Sequence, residues 1–415
     1  MSQQIPKMPK PLQRSGNRPS KSLMPVTVEQ ISSSATSATK AKLIVMQHAL
    51  RDTAVFLQAL VDAGFVVECF LAKPNSIEVD YLSQIKEIAR TTVTEPKGYL
   101  PYQWYEEPGN LDGILVEVIE KAKADRRPVF IIDVGGYFAA PLRRLSEQEL
   151  FYVKGVCEVT SFGHKRYLDQ ADGINVPVMS IARSPIKRAE AVFVGDTVVQ
   201  ATEDILRHEG KILRGRECAV FGFGMIGSEI GRCLKKRGQN VLVYEPDPLI
   251  ALQAGLEGFD VVTDKQSALK NSEVVFAATG SRSISFADVN DYARNDVVLA
   301  SGGSRANEFA VRELETRSIS QSASRYSTTY TLQSGKRIHL LNQGKAVNFL
   351  KSGTPEEIMD LVFAELFKCM EYVLGGSPKT NCVTELERHL QAELAFAWHV
   401  RKRDETKHST TRLIA

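Results

Sequence analysis

Short apolar runs and helical spacings of apolar residues alternate along most of the chain. Residues 41–47 and 65–72 are apolar runs of strand length, and residues 51–64 between them carry apolar side chains at helical spacing and end in glycine. A third apolar run, residues 128–136, ends in a pair of glycines. This order predicts an α/β fold whose parallel strands are covered by helices on both faces.

Two longer helical patterns lie farther along the chain. Residues 195–210 predict a helix long enough to run from one domain into the next. The stretch PEEIMDLVFAELFKCMEYVLGG places Ile358, Val362, Leu366 and Met370 in register on one face. Such a face suits a buried core and a subunit interface equally.

A glycine-rich turn follows the apolar run CAVFGF. Gly222, Gly224 and Gly227 have the spacing G-x-G-x-x-G, and a helical pattern begins there. A second apolar run, NVLVYE, then ends at Glu245. A glycine-rich turn in some other α/β unit is the alternative, but the order strand, loop, helix, strand and acid favours the dinucleotide-binding motif of a Rossmann-type, doubly wound parallel sheet.

Each part of this motif suits an adenine dinucleotide. The first glycine permits a tight turn, the second lets the backbone approach a pyrophosphate, and the third allows close packing of helix on strand. The helix N-terminus offers N–H groups to the phosphates. Glu245 can accept both ribose hydroxyls and would repel a 2′-phosphate, so NAD is favoured over NADP as the cofactor. Residues 272–283 and 296–309 predict two more strands that end in small residues.

Composition places the chain among ordinary globular proteins. Its 415 residues predict two domains, and contents of 43% hydrophobic and 24% charged residues are typical. The net charge of +3 gives no argument for a nucleic acid or membrane partner, and no apolar run approaches the roughly 18 to 20 residues that cross a bilayer. The six cysteines include no C-x-x-C pair, so we expect reduced thiols in the cytoplasm and no metal site.

The two ends of the chain differ from the rest. Five basic residues precede the first acid, Glu29, among scattered Pro and Ser, without the apolar core of a secretory signal. We therefore expect residues 1–40 to form a disordered basic tail and residues 401–415 to be unstructured.

Residues 41 to about 375 resemble the S-adenosyl-L-homocysteine hydrolase family. The resemblance is most specific in AVFGFGMIGSEIGRCLKKRGQNVLVYEPDPLIALQAGLEGFDVVT and GKRIHLLNQGKAVNF. Upstream, the stretches QHALRDTAVFLQAL, IIDVGG, CEVTSFGHKRY and NVPVMSIARSPIKRAEAVFVG are collinear with that family.

The resemblance implies a reaction that begins with oxidation of a nucleoside 3′-hydroxyl by tightly held NAD. The ketone acidifies the neighbouring proton, homocysteine leaves, water adds, and the ketone is reduced again. Lys187 corresponds to the lysine that assists transfer of the hydroxyl proton. His48 corresponds to a site histidine, and Glu158 to a glutamate that contacts the ribose.

For the cofactor, the resemblance implies contacts from Thr160 and Ser161, and from Asn348 to the nicotinamide amide. It also implies a discontinuous architecture with a cleft between two α/β domains. The substrate domain would comprise residues 41–200 and a return segment, 346–400, around an NAD domain at residues 201–345. Homo-oligomers are usual in that family.

Several polar groups of the family's substrate site are replaced in this chain. The replacements are Val134, Ala191, Val192, Ser180, Leu50 and Thr354, and the segment TELERHLQAELAFAWHVRKRDETK stands in place of the family's C-terminal extension. A ribose hydroxyl facing Val134 and Ala191 would lose charge-assisted hydrogen bonds worth about 1.5 to 3 kcal/mol each.

Three interpretations follow. The favoured one is an adenosylhomocysteinase-like enzyme that keeps NAD-dependent redox chemistry on a nucleoside-like or other small hydroxylated substrate, with Lys187 and His48 transferring protons. The second is a non-catalytic relative that binds NAD and acts through partners. The third is an authentic S-adenosyl-L-homocysteine hydrolase of one-carbon metabolism.

Each candidate residue also has a purely structural interpretation. His48 could cap the helix that follows it, and Glu158 could pair with Lys165 or Arg166. Asp133 is interpreted as a cap of the glycine turn. Cys157 is expected to be a small buried apolar residue.

Overall fold

The computed structural model describes residues 23–34, 40–303, 305, 307–351, 354–376 and 379–412, with the backbone alone from 404 onward. The chain forms two compact units. The split unit contains the described parts of residues 19–190 and 356–415, and the Rossmann unit contains Ala191–Pro355. The Rossmann unit is therefore about ten residues longer at each end than the predicted NAD domain, residues 201–345. No helix within the described ranges has both the length and the apolarity needed to span a bilayer.

The split unit is built on a seven-stranded parallel sheet with the order β15-β6-β5-β4-β1-β2-β3. Its strands are β1 (Lys42–Ala49), β2 (Val66–Ile77), β3 (Thr91–Val93), β4 (Val129–Asp133), β5 (Val153–Glu158), β6 (Val178–Ser180) and β15 (Val383–Thr384). Its helices are α1 (Pro25–Ser33), α2 (Arg51–Asp62), α3 (Val79–Ile88), α4 (Gln103–Glu106), α5 (Asn110–Asp125), α6 (Ala139–Arg144), α7 (Glu147–Leu150), α8 (Ser161–Leu168), the first residues of α9 (Pro185–His208), α14 (Glu356–Gly375) and α15 (Arg388–Arg412).

The order of these strands in the sheet indicates where a ligand-binding crevice can form. Strand β1 pairs with β2 on one side and with β4 on the other. In parallel sheets the crevice at such a reversal lies outside the carboxyl ends of the strands. His48 and the turn after Asp133 lie at these ends.

Strand β2 bulges where it passes the end of β1. Gln47 pairs with Ala72, and Ala49 pairs with Ile77. Over this interval β2 therefore advances five residues while β1 advances two. The intervening residues, 73–76, lie opposite the single residue His48 and contribute Lys73 and Ser76 to the interior. Bulges of this kind re-aim side chains beside functional sites.

The Rossmann unit contains an eight-stranded sheet with the order β12-β13-β14-β11-β10-β7-β8-β9. Its strands are β7 (Cys218–Phe221), β8 (Val241–Tyr244), β9 (Asp260–Val262), β10 (Val274–Ala277), β11 (Val297–Ser301), β12 (Ser320–Ala323), β13 (Ser327–Thr331) and β14 (Arg337–Leu341). Its helices are the remainder of α9, α10 (Met225–Lys236), α11 (Pro248–Leu256), α12 (Lys265–Asn271) and α13 (Val311–Arg317).

This topology confirms the predicted Rossmann-type fold. Strands β7 to β11 and β14 are parallel in the doubly wound order, and β13 pairs antiparallel with both β12 and β14. Every residue of β7, β10 and β11 is buried, as expected for strands covered by helices on both faces. The reversal of strand order lies between β7 and β10, beside the glycine-rich turn.

The predicted terminal tails require a correction. Residues 25–33, inside the expected basic tail, form helix α1 with Val26 and Ile31 buried. Buried Asp360 of α14 accepts the N–H groups of Val26 and Thr27 at 3.0 and 2.7 Å, which satisfies the free donors of this helix end. Residues 1–22 and 35–39 lie outside the described part. At the other end α15 continues through the expected tail to Arg412.

The structure gives the start of helix α9 and the environment of the apolar face of helix α14. Helix α9 begins at Pro185, ten residues before the predicted helix, because a Ser-Pro pair starts it. In α14 all four residues predicted to share a face are buried in the core of the split unit: Ile358, Val362, Leu366 and Met370. The apolar face of α14 is therefore core.

Candidate functional site

The glycine-rich turn of the Rossmann unit leaves no room for larger residues at two of its three glycines. Gly222 has a φ of 86°, which favours glycine. A Cβ on Gly227 would lie 1.8 Å from the carbonyl oxygen of Gly222, so helix α10 approaches the turn closely. A Cβ on Gly224 would meet nothing within 4 Å. Gly224 thus faces open space beside the N-terminus of α10, where a pyrophosphate would need it.

Glu245 follows β8 and contacts the same turn. Its carboxylate accepts the N–H of Phe223 at 2.7 Å and that of Asp247 at 2.9 Å. The carboxylate is therefore held beside the middle of the G-x-G-x-x-G turn. This position suits the ribose of an adenine dinucleotide.

Two further features of the Rossmann unit fit the other half of a dinucleotide. Buried Glu308 fastens the loop after β10 by accepting hydrogen bonds from the Thr279 and Gly280 N–H groups, at 2.8 and 2.7 Å. The Oδ1 atom of Asn348 is buried and has no hydrogen-bond partner among the described residues. A carboxamide N–H of a nicotinamide would satisfy this acceptor, so the residues present fit NAD.

In the split unit, His48 is held by the β2 bulge. Its Nδ1 atom is hydrogen-bonded to the Oγ of Ser76. Burial, together with the positive charges of Lys73 and Lys187, holds the pKa of His48 well below its ordinary value of 6.5. His48 is therefore a neutral imidazole at neutral pH, and its hydrogen bond with Ser76 is not a helix cap.

Lys187 lies in the first turn of α9 and forms an ion pair with Glu190. Both side chains are largely buried, each only 13% exposed. Residues three apart share one face of a helix, so Glu190 places a carboxylate beside the lysine. The resemblance had suggested that the carboxylate near this lysine is lost at Ala191; Glu190 supplies one a residue earlier.

The carboxylate of Glu158 is fully occupied by backbone and side-chain donors. It accepts the N–H groups of Gly135, Gly136 and Thr160, at distances of 2.6 to 3.2 Å, and the hydroxyl of Thr160 at 2.7 Å. A Cβ on Gly163 would lie 2.2 Å from this carboxyl group, so the packing requires glycine there. Burial first, and then neighbouring Asp133, raise the pKa of Glu158. Glu158 thus fastens the glycine turn, and the ion pair with Lys165 or Arg166 is not among its observed contacts.

Asp133 braces the other side of that turn. Its Oδ2 atom accepts the N–H of Phe138 at 2.9 Å and the hydroxyl of Tyr167 at 2.8 Å. Its Oδ1 atom is buried without a partner among the described residues, and burial raises the pKa of Asp133. Asp133 thus stabilises the glycine turn by accepting a backbone N–H beyond it, which is the kind of contact expected of a capping residue.

The remaining sequence candidates occupy varied environments. Thr160 caps helix α8 by accepting the N–H of Gly163 at 3.1 Å, and Ser161 is exposed. Of the residues that replace polar family positions, Val134 and Ala191 are buried, whereas Val192 is 45% exposed. Cys157 is buried as expected, and the six cysteines are free thiols.

Sequence reasoning missed four polar residues of the split unit. Ser76, Glu190 and Glu365 contact or electrostatically influence the candidates, and Asp52 is influenced in turn by Glu190. Burial, with the nearby carboxylates of Glu356 and Glu190, raises the pKa of Asp52 to about 6. Only Glu190 carried a signal in the sequence, since it is three residues from Lys187. Ser76 and Glu365 come from elements distant in the chain, and Asp52 lies in α2, the helix that follows His48.

The buried carboxyls predict an unusual dependence of stability on pH. Burial raises the pKa of Asp52 to about 6 and of Glu365 to about 7, and also raises that of Glu158. A carboxyl with a raised folded-state pKa stabilises the fold most fully below its unfolded value, and this contribution is lost as the pH rises through the folded value. Histidines with lowered pKa values act oppositely, but only below about pH 6.5.

We therefore expect the free energy of unfolding to fall between pH 6.5 and pH 8, by about 1 kcal/mol for a carboxyl such as Glu365. Urea unfolding at the two pH values measures this difference. The E365Q variant should show a smaller fall than the unaltered protein. A free energy that rises over this interval would contradict the assignment of raised pKa values.

The glycine turn, Glu245 after β8 and the unpartnered buried side-chain oxygen of Asn348 together define a Rossmann-type NAD-binding protein. The sequence profile of the "S-adenosyl-L-homocysteine hydrolase, NAD binding domain" matches residues 196–354. The chain is similar to S-adenosyl-L-homocysteine hydrolases at modest identity, and residues 196–354 match the NAD-binding domain of that family. The cofactor is accordingly NAD.

Three relatives illustrate the similarity. The adenosylhomocysteinase of Thermotoga maritima is 33% identical over 62% of this chain and 64% of its own length. That of Thermoplasma acidophilum is 27% identical over 81% of this chain and 80% of its own. The S-inosyl-L-homocysteine hydrolase of Methanocaldococcus jannaschii is 26% identical over 80% of this chain and 77% of its own. The alignment with the Thermotoga protein thus spans less than two thirds of that relative.

Proposed function

We propose that the protein uses NAD to oxidise and reduce a hydroxyl-bearing carbon of a nucleoside-like or other small hydroxylated substrate. The observation that supports this most directly is the largely buried Lys187–Glu190 ion pair, whose lysine charge acts on a neutral, partly buried His48. Buried polar groups are costly, so a retained cation, anion and imidazole in one interior indicate use in proton transfer.

In this proposal each residue has a separate task. Bound NAD would accept a hydride from the carbinol carbon, which leaves the hydroxyl proton for the protein to remove. His48, neutral and oriented by Ser76, accepts that proton or passes it on. Lys187 donates a hydrogen bond to the substrate oxygen, and Glu190 keeps its ammonium group in place. In the return reaction the same groups give the proton back.

The proposed substrate class is based on the positions where apolar residues replace polar residues of the related hydrolases. Buried Val134 and Ala191 offer no hydrogen bonds to substrate hydroxyls, and the carboxylate of Glu158 is already occupied by Gly135, Gly136 and Thr160. We therefore propose a substrate with fewer ribose hydroxyl contacts than adenosylhomocysteine makes. The relatives' names include both adenosyl and inosyl compounds, which supports a nucleoside-like class.

Location and assembly form a further part of the proposal. The free cysteines fit a reducing compartment, and we propose that the protein acts in the cytoplasm. Exposed Leu249, Leu252 and Leu256 of α11 lie at helical spacing, which supports self-association.

A second candidate function is authentic hydrolysis of an S-nucleosyl-L-homocysteine, as in one-carbon metabolism. The specific observation in its favour is Glu190, which provides a carboxylate beside Lys187 despite the replacement at position 191. Under this alternative the chain would complete elimination and addition of water after the oxidation.

The purified protein tests both functions. Absorbance and fluorescence would first establish bound NAD or NADH, and adenosine, inosine and a simple hydroxy acid would then be added separately. Growth of the NADH signal with any of them supports the redox proposal, and release of homocysteine from S-adenosyl- or S-inosyl-homocysteine supports the hydrolase. Bound cofactor that none of these compounds reduces would instead favour a non-catalytic relative.

A further inference from the structure

Glu365 lies in the middle of helix α14 and is completely buried. Its Oε2 atom accepts the hydroxyl of Ser184 at 2.7 Å, and its Oε1 atom accepts the side-chain amide of Gln391 at 2.9 Å. Ser184 immediately precedes α9, and Gln391 belongs to α15. Both carboxylate oxygens are therefore used, one toward each of two helices.

The contact with Ser184 leads directly to Lys187. The Oγ atom of Ser184 donates to Glu365 and at the same time accepts the backbone N–H of Lys187 at 3.0 Å. Ser184 is thus the N-cap of α9, and Lys187 is the third residue of the helix. Because the hydroxyl has a single hydrogen, its donation to Glu365 leaves an oxygen lone pair directed at the Lys187 amide.

Charge adds a second connection between the two residues. The Lys187 ammonium favours the ionised form of Glu365, while burial opposes it and raises the pKa of Glu365 to about 7. The other charged group that influences Glu365 is Glu385, which precedes α15, and the thiol of Cys157 in β5 also lies in its surroundings. Glu365 therefore acts on Lys187 through both the helix cap and the field of its charge.

Helix α14 contains a second buried carboxyl, Asp360, whose contacts differ from those of Glu365. Asp360 on the same helix is also a buried carboxyl, and its hydrogen bonds go to α1. It fastens a terminal helix and has no described contact with Lys187. Buried carboxyls cost stability unless their bonds are satisfied, and both residues satisfy theirs. Only Glu365 directs its bonds toward the helix that carries the proton-transfer lysine.

We propose that Glu365 is a positioning residue for Lys187, and that the C-terminal helix α15 takes part in this site through Gln391. Glu365 fixes the first turn of α9 through Ser184, and Gln391 orients the carboxylate from behind. The inference rests on the proposed function, because it assigns Lys187 the role of contacting substrate.

The E365Q variant tests the proposal with little change in shape. The amide of Gln391 can rotate to present its oxygen to the new side chain, so the hydrogen bonds survive while the charge is lost. Acylation of Lys187, followed by peptide mass spectrometry in the full-length protein at pH 8, reports how readily its amine reacts. Without the Glu365 carboxylate the Lys187 side chain loses an opposite charge that holds it in place, so we expect labelling to rise about tenfold.

The Q391A variant supplies a second, milder test. Removal of the amide donor should raise the pKa of Glu365 and leave more of it uncharged, so labelling of Lys187 should rise in the same direction by a smaller factor. Two matched controls, D360N on α14 and exposed E393Q on α15, should leave Lys187 labelling unchanged. Unchanged labelling in both E365Q and Q391A would overturn the proposal, and so would an equal rise in D360N.

This experiment is independent of turnover. If no compound reduces the bound NAD, the proposed function fails while Lys187 labelling still reports on the positioning contact. If turnover is found, E365Q should also shift the pH profile of NAD reduction, whereas D360N should change stability alone. A purely structural role for Glu365 would move neither the labelling nor the profile.

Discussion

Replacing Lys187 with methionine should lower the rate of substrate-dependent NAD reduction about 10²- to 10⁴-fold, the range over which positioned proton-transfer groups act. Methionine retains the apolar stem of the side chain but removes the ammonium that pairs with Glu190. Glu190 is left largely buried without its partner, so some loss of stability should accompany the loss of rate. Single-turnover absorbance of the bound cofactor at 340 nm measures the rate apart from substrate binding.

Two variants make the interpretation of Lys187→Met specific. K154M removes an exposed lysine from β5 and should leave the rate as it is. K187M combined with E190Q removes both members of the ion pair, and should recover stability without recovering rate. A K187M protein that reduces its cofactor at the normal rate would refute the role assigned to Lys187.

Replacing Gly224 with alanine should weaken NAD binding about 10- to 100-fold, equivalent to about 1.4 to 2.8 kcal/mol. The backbone at Gly224 has a φ of −67°, which alanine adopts readily, and a Cβ there meets no protein atom within 4 Å. The added methyl group therefore leaves the fold intact and occupies only the space needed by the pyrophosphate. Titration calorimetry with NAD and thermal unfolding would be measured together.

The G227A variant provides the contrast. Its Cβ would lie 1.8 Å from the backbone oxygen of Gly222, so helix α10 must shift and stability should fall along with NAD affinity. G224A should differ from G227A by keeping normal stability. If G224A binds NAD as tightly as the unaltered protein, the pyrophosphate does not lie against this glycine.

The Rossmann unit was the more predictable half of the molecule. The spacing of Gly222, Gly224 and Gly227, followed by an acid at the end of the next strand, occupies fewer than thirty consecutive residues, and the local geometry agrees with it. Steric demands on such a turn act between near neighbours in the chain. The role of Asn348 needed the resemblance, and its unpartnered buried oxygen supports that assignment.

The split unit was less predictable because its polar interactions join distant segments. Ser76 reaches His48 only because β2 bulges, and a bulge leaves no simple period in the sequence. Glu158 looked like a ligand contact, yet its oxygens bind a turn more than twenty residues earlier in the chain. The role of Glu365 depends on Ser184 and Gln391, which are remote in sequence from each other.

The sequence by itself determined the fold class, the dinucleotide motif and the resemblance to S-adenosyl-L-homocysteine hydrolases, because these depend on periodicity and on contacts between close neighbours in the chain. Only the tertiary structure decided that Ser76 lies beside His48, that Glu365 is linked to Lys187 through Ser184, and that residues 25–33 form a helix held by Asp360. The physical reason is that burial and charge act through space. A carboxylate is costly or useful according to the donors that folding brings to it.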